Sequence, residues 1–238
     1  MSERITIIDF VDKYTKMYSQ DTFIREKLNG KWEETSFENT RKEGRVLAGA
    51  FMSLGLNKGE RVALLSEGRK LWVIAELGIL YAGGVDVPLS IKLEESNDLL
   101  FRINHSDSRF VVVSQQQLPK IRKILADTPQ VEKVIVLDDL KEYGEKEIGI
   151  SDFIALGEKY VAENEAALDE RAHSIGPDDY ANISYTSGTT ADPKGVVLTH
   201  RNYTANVEQG SSVINIGKGD VMLILLPLDH CFAHVAGF

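Results

Sequence analysis

A chain of 238 residues, 43% of them hydrophobic and 26% charged, can bury a proper core as one large domain or two small ones. Its net charge of −9 argues against nucleic acid or an anionic membrane surface as main partner, since both are bound through basic patches. The single cysteine, Cys231, permits no intrachain disulfide and favours an intracellular, cytoplasmic location.

The N-terminal stretch carries Asp9, Asp12 and Lys13 and lacks the uninterrupted apolar run of a signal peptide. Asn29-Gly30, between Thr22–Lys27 and Lys31–Ser36, predicts a two-residue hairpin. Ser36 is placed to cap a helix whose apolar positions Leu47, Ala50, Phe51 and Leu54 recur at helical spacing, with Gly55 ending it. The reading continues with a strand at Val62–Leu65, an apolar helix from Arg69 to Ala82 stopped by Gly83-Gly84, and a strand at Val85–Leu89. Trp72 and Tyr81 on that helix read as core aromatics. Further helices are expected around Asp98–Asn104, Leu118–Ala126 and Asp152–Asn164, with strands at Phe110–Val113 and Val134–Leu137. Residues Glu163 to Asp179 read as an acidic connection ending in Gly176-Pro177. This alternation predicts an α/β fold: a mostly parallel sheet with helices on both faces. No apolar run approaches the ~20 residues of a membrane span.

Tyr180–Tyr185 alternates as a half-buried strand does, and Val196-Val197-Leu198 reads as a second one. Between them lies Thr186-Ser187-Gly188-Thr189-Thr190-Ala191-Asp192-Pro193-Lys194-Gly195. Clustered hydroxyls, free amides around Gly188 and one lysine are what binding a polyphosphate requires. The spacing is not that of the common P-loop: Pro193 stands at its second glycine position, and Gly195 follows Lys194 where a Ser or Thr should be. Loops rich in Ser, Thr, Gly and Pro are also ordinary surface features, so the loop chemistry alone leaves that reading open. Beyond it, His200–Ile214 predicts a helix, Val221–Leu226 a buried strand, and Pro227-Leu228-Asp229-His230 a turn.

The whole string from Tyr185 to His200 resembles Y-T-S-G-T-T-G-x-P-K-G-V-x-x-T-H, the phosphate-loop signature of the adenylate-forming enzymes. That superfamily holds acyl-CoA synthetases, luciferases and peptide-synthetase adenylation domains. Ala191 stands where its members usually carry glycine, and the following Asp192-Pro193 favours negative φ there. Gly59-Glu60-Arg61-Val62-Ala63-Leu64, Tyr81-Ala82-Gly83-Gly84 and Leu226-Pro227-Leu228-Asp229-His230-Cys231-Phe232 make the chain most similar to the N-terminal part of bacterial long-chain fatty-acid CoA ligases. On this likeness residues 1–175 form a first α/β lobe, and 176–238 the phosphate-loop segment and the start of an acyl-pocket lobe. Ala236-Gly237-Phe238 reads as the start of another helix, so the AMP-binding domain is expected to continue past Phe238.

The resemblance implies two steps: a carboxylate attacks ATP to form an acyl-adenylate, and the thiol of coenzyme A then takes the acyl group. Fatty acid, ATP, Mg²⁺ and coenzyme A are the implied small molecules, with no nucleic acid partner; peripheral membrane contact of the parent enzyme and its oligomeric state stay open. Ser187, Gly188, Thr189 and Thr190 match the residues that hold the departing phosphates, Lys194 the one that neutralises them, and Thr186 the one that approaches magnesium. His230 matches the histidine near the substrate carboxylate; outside the motif it would read as a turn residue. His234 reads as structural, and Cys231 as buried or substrate-lining, since nothing nearby lowers its pKa. Cys231 also stands where a zinc H-E-x-x-H helix needs Glu, so His230 and His234 do not read as a metal pair. The family's Y-G-x-T-E and T-G-D segments and its C-terminal lysine are absent from these residues, so the chain alone is expected to be inactive. Two alternatives stay open: an adenylating enzyme for aryl, short-chain or amino acids, and a non-catalytic nucleotide-binding module.

Overall fold

The computed structural model describes residues 5–94, 96–186, 193–213 and 217–229. Helix α1 (Ile7–Tyr18) opens it, its start fixed by a capping box in which Thr6 and Asp9 each satisfy the other's backbone. Strands β1 (Thr22–Leu28) and β2 (Lys31–Ser36) form the expected hairpin, with Asn29 at φ 51° and Gly30 at φ 80°. Ser36 caps α2 (Phe37–Ser53), and Gly55 at φ 85° ends that turn.

A seven-stranded sheet follows, built from β3 (Arg61–Leu65), β4 (Val85–Pro88), β5 (Ser108–Val113), β6 (Lys133–Val136), β7 (Glu147–Gly149), β8 (Tyr180–Tyr185) and β9 (Gly195–Thr199). Its order is β7-β6-β5-β3-β4-β8-β9, parallel throughout except for the antiparallel β8–β9 pair. The helices between are α3 (Lys70–Tyr81), α4 (Ser96–Ser106), α5 (Leu118–Ile124, continued by a short 3₁₀ turn), α6 (Ile150–His173) and α7 (His200–Val213). β3 to β7 keep the doubly wound order 2-1-3-4-5, and β8–β9 extend it beyond β4.

Both faces are covered, as the alternation predicts. Val62, Leu64, Phe110, Val112 and Ile135 meet α2, α3 and α6 on one face. Ala63, Leu65, Val111, Val113, Val134 and Val136 meet α4 and α5 on the other. Strands apolar on both sides are what a covered parallel sheet selects. Helix α3 is buried from Trp72 through Tyr81, which is why its sequence is apolar all round. Its Glu76 faces Asp86 of β4, whose carboxyl is fully buried. Burial, then the Glu76 charge, pushes Asp86 well above the usual carboxylate range.

The structure corrects two expectations. Helix α6 does not stop at Asn164; that residue is only a kink (φ −138°, ψ 31°), and the helix resumes to His173. One fully buried apolar anchor, Leu168, suffices to dock the acidic half, aided by Asp169 to Arg45 (2.6 Å) and by Arg171 on the Ala82 carbonyl (3.0 Å). The second is Val221–Leu226. It forms no strand, pairs with neither edge of the sheet, and leaves its side chains 41–80% exposed.

Candidate functional site

β8 and β9 pair from Tyr180↔Thr199 to Tyr185↔Gly195, and the Thr186 amide donates to the Lys194 carbonyl at 3.0 Å. Thr186 and Lys194 therefore stand opposite each other at the carboxyl edge of β8, and both are exposed. That edge is where open α/β sheets bind ligands. At the switch point between β3 and β5 the corresponding space is occupied instead. Arg69 pairs with Asp138 (2.9 Å) and Gln117 donates to Glu67 (2.6 Å).

Gly195 sits at a close approach: a Cβ there would lie 3.0 Å from Ile183 Cγ2 and 3.5 Å from the Tyr185 ring. The end of the motif is a helix start. The Thr199 amide donates to Asn202 Oδ1 (2.8 Å) and the Asn202 amide to Thr199 Oγ1 (3.3 Å), a capping box with Asn in place of Glu. His200 is buried, and its Nδ1 accepts from the Ile7 amide at 3.4 Å. Burial holds its pKa down at about 4, against the pull of Asp179 and Asp9. The final histidine of the motif thus ties α7 to α1 as a neutral acceptor.

Of the anticipated site, Thr186 and Lys194 are brought together. Ser187, Gly188, Thr189, Thr190 and His230 lie outside the described residues, as do Ala191, Cys231 and His234. Leu226-Pro227-Leu228-Asp229 leads back to the sheet, where buried Leu228 would touch a Cβ at Gly68, just beyond β3, at 3.7 Å. Trp72 and Tyr81 are core residues, 1% and 0% exposed. Among the described residues no group of three His, Cys, Asp or Glu could hold a metal ion. In phosphate loops a Ser or Thr hydroxyl can sit on Mg²⁺, and Thr186, exposed at the loop mouth, offers such a hydroxyl. No described helix is long and apolar enough to cross a membrane.

Sequence reasoning missed the surroundings of Tyr185. Its hydroxyl lies 2.9 Å from His105 Nδ1 and 3.3 Å from the Arg102 carbonyl, both on α4. No short-range pattern signals a pairing across that distance in sequence.

The profile of the AMP-binding enzyme family matches residues 12–238, and the chain belongs to that family. It is 26% identical over 236 residues to a long-chain-fatty-acid–CoA ligase of Xenopus laevis, covering 97% of this chain and 32% of the relative. A long-chain-fatty-acid–CoA ligase of Mus musculus is 30% identical over 216 residues, 88% of this chain and 29% of its own length. The chain thus spans about a third of the curated relatives it matches. Among solved structures, a long-chain-fatty-acid–CoA ligase from Archaeoglobus fulgidus superimposes with a TM-score of 0.82 at 22% identity, over 99% of this chain and 44% of that one. An anthranilate–CoA ligase in complex with anthranoyl-AMP gives 0.78 at 21% identity, over 94% and 40%. These likenesses identify the fold as the N-terminal part of the adenylate-forming enzymes.

Proposed function

We propose that the full protein carrying this chain is an AMP-forming acid–thiol ligase that activates a long-chain fatty acid as its acyl-adenylate and passes it to coenzyme A. The observation that carries this reading is the hairpin, which sets Thr186 and Lys194 across one loop mouth at the carboxyl edge of the sheet, inside the motif of the matched family. In the first step a carboxylate oxygen attacks the α-phosphorus of ATP and pyrophosphate leaves. Catalysis of that step is positioning and charge neutralisation. Lys194 meets the charge that builds on the departing phosphates, and Ser187, Thr189, Thr190 and the Gly188 amide hold them. A magnesium ion, when bound near Thr186, neutralises phosphate charge. His230 is assigned to the substrate carboxylate. Residues 1–175 serve as a first lobe, and 176–238 begin the acyl-pocket lobe.

Support for the fatty acid comes from the relatives' names. A cyclic acid has support as well: a Rhodococcus jostii ligase named for a methyl-dioxo-octahydroindenyl propanoate is 29% identical over 213 residues. Pyrophosphate exchange by the full protein against a panel of straight-chain, aryl and cyclic acids decides between them. Lys194→Ala is expected to slow acyl-adenylate formation by about 10²–10³, and transfer from preformed adenylate to coenzyme A far less. Normal adenylate formation with a defect only in the thiol step would remove Lys194 from this role.

A further inference from the structure

The end of α4 grips the hairpin at one side chain, and that grip is more elaborate than packing requires. Tyr185 lies immediately before Thr186, so the position of its ring sets the start of the loop mouth. Its hydroxyl lies 2.9 Å from His105 Nδ1 and 3.3 Å from the Arg102 carbonyl, with the Ser106 hydroxyl also beside it. A phenol has one proton to give, and a carbonyl can only accept. Both contacts are satisfied together when Tyr185 donates to Arg102 and His105 Nδ1–H donates to the phenol oxygen. Burial raises the Tyr185 pKa, which keeps that proton in place at neutral pH.

The imidazole is itself oriented. Phe101 stacks on it with centroids 5.2 Å apart and planes at 19°, and it meets the Tyr185 ring edge-on at 5.8 Å and 72°. The Arg102 guanidinium lies 5.7 Å from the centroid of the same tyrosine. Arg102 is held in turn by the Asp98 carbonyl at 2.8 Å. Asp98, Phe101, Arg102 and His105 follow the i, i+3, i+4, i+7 spacing of one helix face. On the other side, the missing side chain of Gly195 lets the Tyr185 ring lie against β9.

We propose that His105 is a positioning residue for the phosphate-binding hairpin: through the Tyr185 hydroxyl it fixes Thr186 opposite Lys194. Its effect on nucleotide use rests on the function proposed above, whereas its effect on the hairpin does not.

The test therefore has two arms. In the 238-residue chain, amide exchange is read from peptides spanning residues 183–197, which contain the Thr186–Lys194 bond. His105→Ala and Tyr185→Phe should each speed exchange there about five- to tenfold, the worth of one net hydrogen bond. His105→Asn, which keeps a donor near the Nδ1 position, should restore it. His105 is exposed, so folding survives its replacement, and Tyr185→Phe preserves the ring if it does not. Unchanged exchange in His105→Ala overturns the proposal, and so does equal acceleration in His105→Ala and His105→Asn, which would mean lost bulk and no hydrogen bond. In the full protein, His105→Ala should raise KM for ATP severalfold with KM for the acid unchanged, and His105→Asn should reverse it. An equal rise in both KM values overturns the positioning role. Absence of acyl-adenylate in the parent protein counts against the ligase reading alone, because the exchange arm still judges His105.

Discussion

His200 and Asp86 are both buried ionisable residues, and they push stability in opposite directions with pH. His200 titrates at about 4 in the folded chain, against about 6.5 free. Its contribution is complete above pH 6.5 and is lost as pH falls toward 4, because the unfolded chain takes up a proton that the native imidazole refuses. The displacement corresponds to at most about 3 kcal/mol. Asp86 is shifted upward by burial and by Glu76. Its contribution is complete below the ordinary carboxylate pKa near 3.9 and is lost as pH rises through its folded value. Melting midpoints between pH 4 and 9 should separate the two. His200→Asn, which still offers the Ile7 amide an acceptor, should flatten the acid limb. Asp86→Asn should flatten the decline that sets in as pH rises above the ordinary carboxylate range. If both variants keep the parent's slopes, neither group is the source. The motif alone showed His200 as part of a signature; only its contact with Ile7 shows that it is a tether.

At the scale of elements, the closest approach joins α2 and α6. A Cβ at Gly157 would fall 2.0 Å from the Val46 carbonyl oxygen, and one at Gly49 would fall 3.0 Å from the Gly157 carbonyl. Each helix presents a glycine to the other's backbone, so the axes pack more tightly than side chains would permit. Gly157→Ala must push the helices apart and should cost about 1–3 kcal/mol, although alanine is the better helix former. Urea denaturation measures it, and a variant as stable as the parent would mean the pair separates freely. The Asn29-Gly30 hairpin and the Ser36 cap were legible because each works within a few residues. The second half of α6 was not: its acidic sequence carries one buried anchor, Leu168, and the Arg45 and Arg171 contacts that dock it come from distant parts of the chain.

For the whole molecule, two exposed apolar features matter: Val221–Leu226 and the edge strand β9. Val196 and Val197 of β9 are 42% and 44% exposed, and Leu223 and Leu225 are 68% and 80% exposed. An uncharged exposed apolar run and an exposed edge strand each invite pairing between chains. Leu223→Asp should lower self-association of the 238-residue chain severalfold, as read by light scattering at rising concentration. Unchanged scattering would locate the sticky surface elsewhere. The strand and helix alternation, the tight turns and the phosphate-loop motif with Thr186 and Lys194 in it are all legible along the chain. These follow from side-chain periodicity and backbone stereochemistry, which act over a few neighbouring residues. That β8 and β9 extend the sheet beyond β4, that Glu76 faces Asp86, and that His105 meets Tyr185 emerges from the folded chain. Those contacts depend on strand order and helix placement, which bring together residues with no local pattern in common.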